Sequence, residues 1–246
     1  MSDVVINPGR EKGEPHLPDA GLLCVNPGDA AQAVSLAKER QGLRHFLFNS
    51  NLFQIPAADQ EKPFFIAGPA VGAPMAVLTL EKLVALGGRR IIVYGWCGSL
   101  HDTVRIGDVV LPTWAVSSEG TSAHYPLNVR PESHSDTRQA LKDLLIDGGL
   151  TVHTGPVWST DAPYRESRDQ VKQFGAQGIF GVDMEYGALV AAAAFRKVEL
   201  TAVLLVSDEL WSGTWKPGFQ TKAFKKKSRE ILNYLMEFCS TLSTKK

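Results

Sequence analysis

The sequence predicts an α/β fold: a single-domain, three-layer αβα architecture with a mixed, mostly parallel central sheet. Short apolar runs alternate with helical patterns along the chain, and turn-forming residues separate them. Strands joined through helices become parallel neighbours with helices on both sheet faces. The length of 246 residues and the hydrophobic fraction of 44% suffice to bury a core within one domain.

The elements follow one another at regular spacing. Strands are predicted over residues 21–25, 63–67, 90–94, 108–111, 152–158 and 200–206. Helices are predicted over residues 30–40, 75–86, 134–145, 186–195 and 219–238, and turns over residues 26–29, 68–74 and 95–100. Residues 1–20 are polar and contain prolines, which indicates an N-terminal arm before a domain that spans residues 21–246.

Charge and cysteine content narrow the class of ligand. Lys plus Arg and Asp plus Glu both number 26, so nothing in the overall charge attracts nucleic acid or an anionic membrane. Cys24, Cys97 and Cys239 are too widely spaced for a disulfide framework or a metal site. The N-terminus has no signal-peptide core, and no apolar run is long enough to span a bilayer. We expect a cytoplasmic protein that binds a small molecule and needs no metal.

The segment GVDMEYGA at residues 181–188 contains a carboxylate, Glu185, just before an alanine-rich helix. One interpretation is structural, because the dipole at a helix N-terminus favours negative charge. The other is that Glu185 accepts hydrogen bonds from the two hydroxyls of a diol, which a carboxylate binds well. The residues alone leave both interpretations open.

A second acidic segment, Ser207-Asp208-Glu209, follows the apolar strand predicted at residues 200–206. In open α/β sheets, ligands bind beyond the carboxyl ends of strands, which favours an active-site role for Asp208. Ser and Asp are also good helix caps, so a structural role remains the alternative.

These two segments together resemble the nucleoside phosphorylase and nucleosidase superfamily, of the purine nucleoside and uridine phosphorylase type. That family has an (E/D)-M-E-x-(A/G)-A segment followed some twenty residues later by S-D. Three further segments are similar in the same order: NPGD at residues 26–29, AVGAP at 70–74, and GWCGSL with RIGDVV between residues 95 and 110. The chain is thereby identified as a member of a divergent branch.

The resemblance implies a pentosyltransferase that cleaves the N-glycosidic bond of a purine or pyrimidine nucleoside, with phosphate as the co-substrate. Asp208 would be the catalytic acid beside the base, and Met184 and Glu185 would hold the ribose. His16, in the segment Pro15-His16-Leu17, would reach the sugar of a neighbouring subunit. A shared site of this kind implies a homo-oligomer built from dimers, up to a hexamer. On a loose arm, however, His16 is equally well read as a surface residue.

Two loop segments, at residues 119–125 and 159–166, fall where the family builds its sugar and base pockets. Each contains an aromatic residue that is able to stack on a base, Tyr125 in the first and Tyr164 in the second. Ordinary turn chemistry is the alternative for both segments, since Gly, Ser, Thr and Asp are also turn formers.

The chain departs from the family at the phosphate site. Gln32 and Val93 stand where bacterial hexameric phosphorylases have arginines, and Trp96 stands in place of a serine. Trp96 either packs into the end of the sheet or reshapes the site of the acceptor.

Other groups remain as candidates for holding phosphate. The backbone N–H groups of Gly28 and Gly98 are able to cradle an anion. Arg44 or Arg165 would add the charge and the bidentate geometry that suit phosphate, from this chain or from a partner subunit.

Two alternatives to phosphorolysis stay open. The same fold hydrolyses nucleosides when water replaces phosphate, and water needs a general base. The nearest carboxylate after the first strand is Asp29, which is also a good candidate for a helix cap. A degenerate protein that binds a nucleoside without cleaving it is the second alternative, although the presence of both Glu185 and Asp208 argues against it.

Overall fold

The computed structural model describes residues 4–48, 50–58 and 61–242. The first three residues of the predicted arm and the last four of the predicted domain lie outside this part. The strands are β1 Ala20–Cys24, β2 Leu43–Leu47, β3 Ser50–Ile55, β4 Phe64–Gly68, β5 Arg90–Ser99, β6 Val109–Ser118, β7 Val152–Thr160, β8 Gly181–Asp183, β9 Glu199–Glu209 and β10 Lys216–Pro217. The helices are α1 Pro27–Glu39, α2 Ala73–Leu86, α3 Ser135–Asp147, α4 Arg168–Ala176, α5 Tyr186–Arg196 and α6 Lys222–Thr241.

The described strands form one sheet in the order β10-β9-β6-β7-β8-β5-β1-β4-β3-β2. Strand β5 also pairs with β9, so β5, β9, β6, β7 and β8 close into a ring at one end of the sheet. The longest ladders, β5–β9 and β6–β7, are parallel, whereas β2–β3, β3–β4 and the short β5–β8 pairing are antiparallel. The mixed α/β sheet predicted from the sequence is therefore confirmed.

Apolar strands buried on both faces explain why helices cover this sheet on two sides. Helices α1, α3 and α6 pack on one face around Tyr94, and helices α2 and α5 pack on the other face. Most of α5 is buried, because its small alanine side chains let it lie close to α2 and to the strands beneath. This packing fixes the loops at the carboxyl ends of β1, β4, β5 and β9.

The structure differs from the prediction at the segment 95–100. The predicted turn is wrong, because β5 continues through this segment to Ser99. Gly95 and Gly98 are strand glycines that let neighbouring side chains approach closely. A Cβ atom on Gly95 would lie 2.7 Å from Val25 Cγ2, and one on Gly98 would lie 2.3 Å from Leu210 Cδ1.

The hairpin of β2 and β3 was also not predicted from the sequence. It forms one edge of the sheet and exposes Leu43 and Phe46, so its outer strand lacks the apolar pattern of a buried strand.

Cys24, Cys97 and Cys239 are free and buried. Within the described residues, no helix combines the length and the apolar character that crossing a membrane requires.

Candidate active site

The two acidic segments come together through Gly98. In the sheet, Gly98 lies opposite Asp208 of β9 on one side and opposite Val182 of β8 on the other. Two strand spacings separate these neighbours, which is about 10 Å. Asp208 and the loop that contains Glu185 therefore flank one short stretch of β5, at the distance of a nucleoside-sized ligand.

Asp183 caps helix α5. Its Oδ2 atom accepts hydrogen bonds from the backbone N–H groups of Glu185 and Tyr186, at 3.1 and 2.6 Å. Ser159 Oγ donates to the other oxygen of Asp183 and accepts the N–H of Gly187. The first turn of α5 is thus satisfied by Asp183, and the helix does not need the carboxylate of Glu185.

Glu185 reaches instead across to helix α2. Its Oε1 atom accepts the backbone N–H of Gly72, the residue before α2, at 2.6 Å. Apart from Gly72 and the nearby backbone N–H of Met184, no group of the described residues donates to this carboxyl group. Burial, followed by the negative charge of Asp183, raises the pKa of Glu185 above its usual range. The side chain is thus held at one oxygen by the backbone of Gly72 and not by the helix that it precedes.

Asp208 does not cap a helix, because β9 runs on through Glu209 and a loop follows. Ser207 Oγ donates to Asp208 Oδ1 at 2.6 Å, and Trp215 Nε1 donates to Oδ2 at 2.9 Å. Its neighbour Glu209 has a structural role: it accepts the N–H of Ile106 and forms an ion pair with Lys216 at 3.4 Å. Of the two acids, Asp208 is the one positioned beside Gly98.

A third acidic residue, Glu166, was not singled out from the sequence. It follows the short 3-10 turn Pro163–Arg165 and is half-buried. Burial, followed by the negative charge of Asp208, raises its pKa to about 7. The segment 159–166 was singled out in the sequence, but for its aromatic residue Tyr164 and not for the carboxyl group of Glu166.

The start of α1 contains a group of buried polar atoms. Asp29 accepts a hydrogen bond from Ser228 Oγ of α6 at 2.5 Å, so its carboxyl group binds α6 and does not cap α1. Burial raises the pKa of Asp29, although the N–H groups of Trp96 and Asn26 nearby act to lower it. Asp29 Oδ2, Trp96 Nε1 and Asn26 Nδ2 are buried without a well-formed hydrogen bond among the described residues.

Trp96 packs against the aromatic side chains of two neighbouring elements. Its ring stacks on Phe219 at 6.0 Å between centroids and meets Phe224 edge-on at 5.0 Å. Its indole nitrogen nevertheless lies beside Asp29, at the start of α1. Each interpretation of Trp96 thus describes part of its environment. The ring packs among aromatic side chains, and its nitrogen lies at the start of α1, where the phosphate acceptor is predicted to bind. Gln32, one turn further along α1, also has a buried and unpartnered Nε2 atom.

The residues that the sequence analysis predicted to bind phosphate lie in different surroundings. Gly28 lies in the first turn of α1, and a Cβ atom there would meet nothing within 4 Å, so its backbone faces open space. Gly98 lies inside β5 and is flanked by β8 and β9, which leaves it no turn in which to cradle an anion. Arg165 and Tyr164 lie in the exposed 3-10 turn, where Tyr164 is 99% exposed.

Two predicted residues lie away from this site in their own chain. His16 is beside Gly87 at the C-terminal end of α2, roughly 16 Å from the carboxyl edge by the length of β1. Arg44 is on the edge strand β2, three strands and about 14 Å from β1. By these distances, neither residue lies at the site of its own chain.

Tyr125 packs between α2 and the C-terminal part of α5. Its hydroxyl donates to Glu81 of α2 at 3.0 Å, and its ring meets Phe195 edge-on at 5.5 Å. Phe195 is nine residues along α5 from Tyr186, which corresponds to about 13 Å. Tyr125 therefore packs between two helices, and it also lines a cavity together with Gly187, two residues after Glu185 in the chain. Met184, by contrast, immediately precedes Glu185 and is half-buried.

No cluster of three or more metal-binding side chains occurs in the part of the chain that the structure describes. The mixed sheet, with acidic side chains at the carboxyl ends of β8 and β9, defines an α/β protein of the kind that binds ligands at the carboxyl edge of its sheet.

Residues 19–238 match the family described as the Phosphorylase superfamily, and the chain belongs to that family. The resemblance inferred from the sequence motifs is thereby confirmed. The chain is 26% identical over 208 residues to a guanosine phosphorylase of Halorubrum lacusprofundi, which covers 82% of this chain and 86% of that one. It is 31% identical over 151 residues to a DeoD-type purine nucleoside phosphorylase of Bacillus thuringiensis, which covers 60% of this chain and 64% of the relative.

Solved structures share the fold. The purine nucleoside phosphorylase of Toxoplasma gondii superposes with a TM-score of 0.80 at 18% identity, over 98% of this chain and 97% of that one. The uridine phosphorylase of Vibrio fischeri superposes with a TM-score of 0.80 at 19% identity, over 95% of this chain and all of that one. The chain is a distant homologue of nucleoside phosphorylases, and these structures confirm its fold.

Proposed function

We propose that the protein is a pentosyltransferase that cleaves the N-glycosidic bond of a nucleoside with phosphate as the acceptor. The observation that carries this proposal is the placement of Glu185 and Asp208 on opposite sides of Gly98. Glu185 has a free oxygen for the sugar hydroxyls, and Asp208 lies where a base attached to that sugar would extend. The named relatives, which are purine nucleoside and guanosine phosphorylases, support the same reaction class.

The proposed cleavage is dissociative. The bond between the base and the anomeric carbon breaks first, so positive charge builds on the ribose while its bonding electrons move into the base. Asp208 donates a proton or a hydrogen bond to the departing base, at N7 in the case of a purine. Glu185 fixes the sugar through its 2′- and 3′-hydroxyls, and Met184 supports the sugar from beneath. A phosphate oxygen then forms the new bond to the anomeric carbon.

The phosphate would bind at the start of α1. The N-terminus of a helix attracts anions, and the open backbone at Gly28 is accessible there. Trp96 would contribute one N–H donor, and Arg165 would contribute a cation from its exposed loop. This arrangement has fewer charges than an arginine-lined site, so we expect weaker phosphate binding than arginines provide.

A second copy of the chain would complete the site. His16 and Arg44 both lie far from the site of their own chain, yet both are exposed, and Arg44 lies on the edge strand of the sheet. We therefore propose a homo-oligomer built from dimers, in which His16 reaches the sugar and Arg44 the phosphate of a neighbour. Light scattering should show a dimer or a larger even-numbered assembly, up to a hexamer. A fully active monomer would contradict the shared site.

Hydrolysis is the second candidate function, and the environment of Asp29 favours it. A buried carboxyl group with a raised pKa, one oxygen of which makes no well-formed hydrogen bond among the described residues, lies beside Trp96 and one turn before Gln32. Such a group is suited to act as the general base that a water nucleophile needs.

The experiment that separates these candidates measures free base released from a panel of ribonucleosides while phosphate is titrated from zero. We expect release that saturates at millimolar phosphate or below. Equal release in phosphate-free buffer would support the hydrolase instead. Binding of nucleosides without release under either condition would point to a protein that does not cleave its ligand.

A further inference from the structure

A cavity of about 520 Å³ lies between helices α1 and α6. Pockets of roughly 300–1,000 Å³ are usual for small-molecule ligands, so this cavity has the size of a ligand site. Its polar lining comes from Gln32, Ser35 and Glu39 of α1 and from Lys225, Lys226 and Arg229 of α6. The lining begins one turn past Asp29 and extends for about 10 Å along α1, away from the end of the helix where the acceptor would bind.

Positive charge dominates this cavity. Three of its lining residues, Lys225, Lys226 and Arg229, are cations, and Glu39 is the one carboxylate among the lining residues. Lys226 pairs with Glu230 at 3.6 Å, in a contact that is largely exposed. Lys225 and Arg229 form no ion pair with the described residues. Two cations that lie one helical turn apart are therefore available to an anion.

The basic residues also stand where a helix tolerates them least. Helix α6 begins at Lys222, and five of its first eight residues are Lys or Arg, with no acidic residue in its first turn. Cations near the N-terminus oppose the helix dipole, and like charges at positions i and i+4, such as Lys225 and Arg229, repel each other. A bound anion would offset both effects. A departure from local preference of this kind is typical of a functional site.

An unpartnered amide group adds a neutral donor to these cations. Gln32 lines the cavity, and its Nε2 atom is buried without a hydrogen-bond partner among the described residues. A buried donor that is left unpaired lowers stability. A ligand oxygen that accepts this N–H would remove the cost, so the α1 side of the cavity also favours an acceptor-rich ligand.

We propose that the cavity between α1 and α6 binds a small molecule that carries a diphosphate group. Residues one turn apart on a helix have Cβ atoms about 5–6 Å apart, which lets Lys225 and Arg229 each contact one of two linked phosphates. Arginine binds phosphate oxygens bidentately, and lysine binds them as a point charge. Leu36 is the one apolar side chain among the lining residues, so the phosphate groups contribute most of the binding energy. The inference does not depend on nucleoside cleavage.

Calorimetric titration with pyrophosphate and with ADP, in buffer free of phosphate, tests this inference. We expect both to bind the native protein, and the Kd of each to rise by about tenfold or more in the double variant Lys225→Gln/Arg229→Gln. The matched control is Lys222→Gln/Lys227→Gln, which removes the same charge from the same helix. Neither control residue lines the cavity, and Lys227 Nζ lies beside Gly107 instead. The control should bind both probes as the native protein does.

Three results would overturn the inference. The first is that pyrophosphate does not bind the native protein at millimolar concentration. The second is equal weakening in the two double variants, which would indicate general attraction to a basic helix. The third is binding of ADP without binding of pyrophosphate, which would mean that the nucleoside part and not the diphosphate is recognised. Circular dichroism should show native helix content in both variants.

Discussion

Replacement of Asp208 by asparagine is expected to lower kcat by about 10²- to 10⁴-fold, the range that general acid catalysis contributes. Asparagine preserves the size of the side chain and can still accept the bond from Ser207 Oγ, so the fold should survive. It has no acidic proton to give to the departing base. Because the effect lies in bond cleavage, the KM for the nucleoside should change much less than kcat. Steady-state kinetics with saturating phosphate measures both.

The matched control is Asp102→Asn, which removes a largely exposed carboxylate just beyond the end of β5. This variant should retain native turnover, and circular dichroism should show the same helix content for both variants. If Asp208→Asn turned over substrate at the native rate, Asp208 would have no role in catalysis, and its contacts with Ser207 and Trp215 would be structural only.

Replacement of Glu185 by glutamine is expected to reduce the preference for ribonucleosides over 2′-deoxyribonucleosides. A hydrogen bond to a charged group is worth about 1.5–3 kcal/mol, which corresponds to roughly 10- to 150-fold in kcat/KM. The glutamine oxygen can still accept the N–H of Gly72, but an amide NH₂ replaces the free oxygen that accepts the 2′-hydroxyl. The loss should therefore fall on ribosides, while 2′-deoxyribosides are affected less.

The measurement compares kcat/KM for inosine and 2′-deoxyinosine in the native protein and in the variant. A suitable control is Glu132→Gln, an exposed carboxylate whose ion pair with Arg130 is also exposed. An unchanged ratio between the two nucleosides would contradict the role of Glu185 in holding the sugar.

Local patterns in the sequence predicted much of the fold. Alternation of apolar strands and helices identified the α/β class, because each element carries its own periodicity. The segment Gly95–Ser99 was wrongly predicted as a turn, because glycines are typical of turns. In the structure these glycines allow close packing within β5. Whether glycine bends a chain or lets a neighbour approach depends on the tertiary structure, which the local sequence does not contain.

The candidate site was only partly predictable for the same reason. Asp208 and Glu185 were found because short motifs surround them. The partner of Glu185 is the backbone of Gly72, which is 113 residues away and has no side chain to signal the contact. The charge that acts on Glu166 comes from Asp208, which is also distant in the chain. The sequence did not show that Asp183 caps α5, because Asp183 and Glu185 both stand just before this helix.

The most direct test of the account is the identity of the sugar released from inosine in ¹⁸O-labelled water with phosphate present. The account predicts ribose 1-phosphate, with no label at the anomeric carbon, in an amount equal to the hypoxanthine formed. Free ribose carrying the label as the primary product would contradict phosphorolysis and assign the reaction to water.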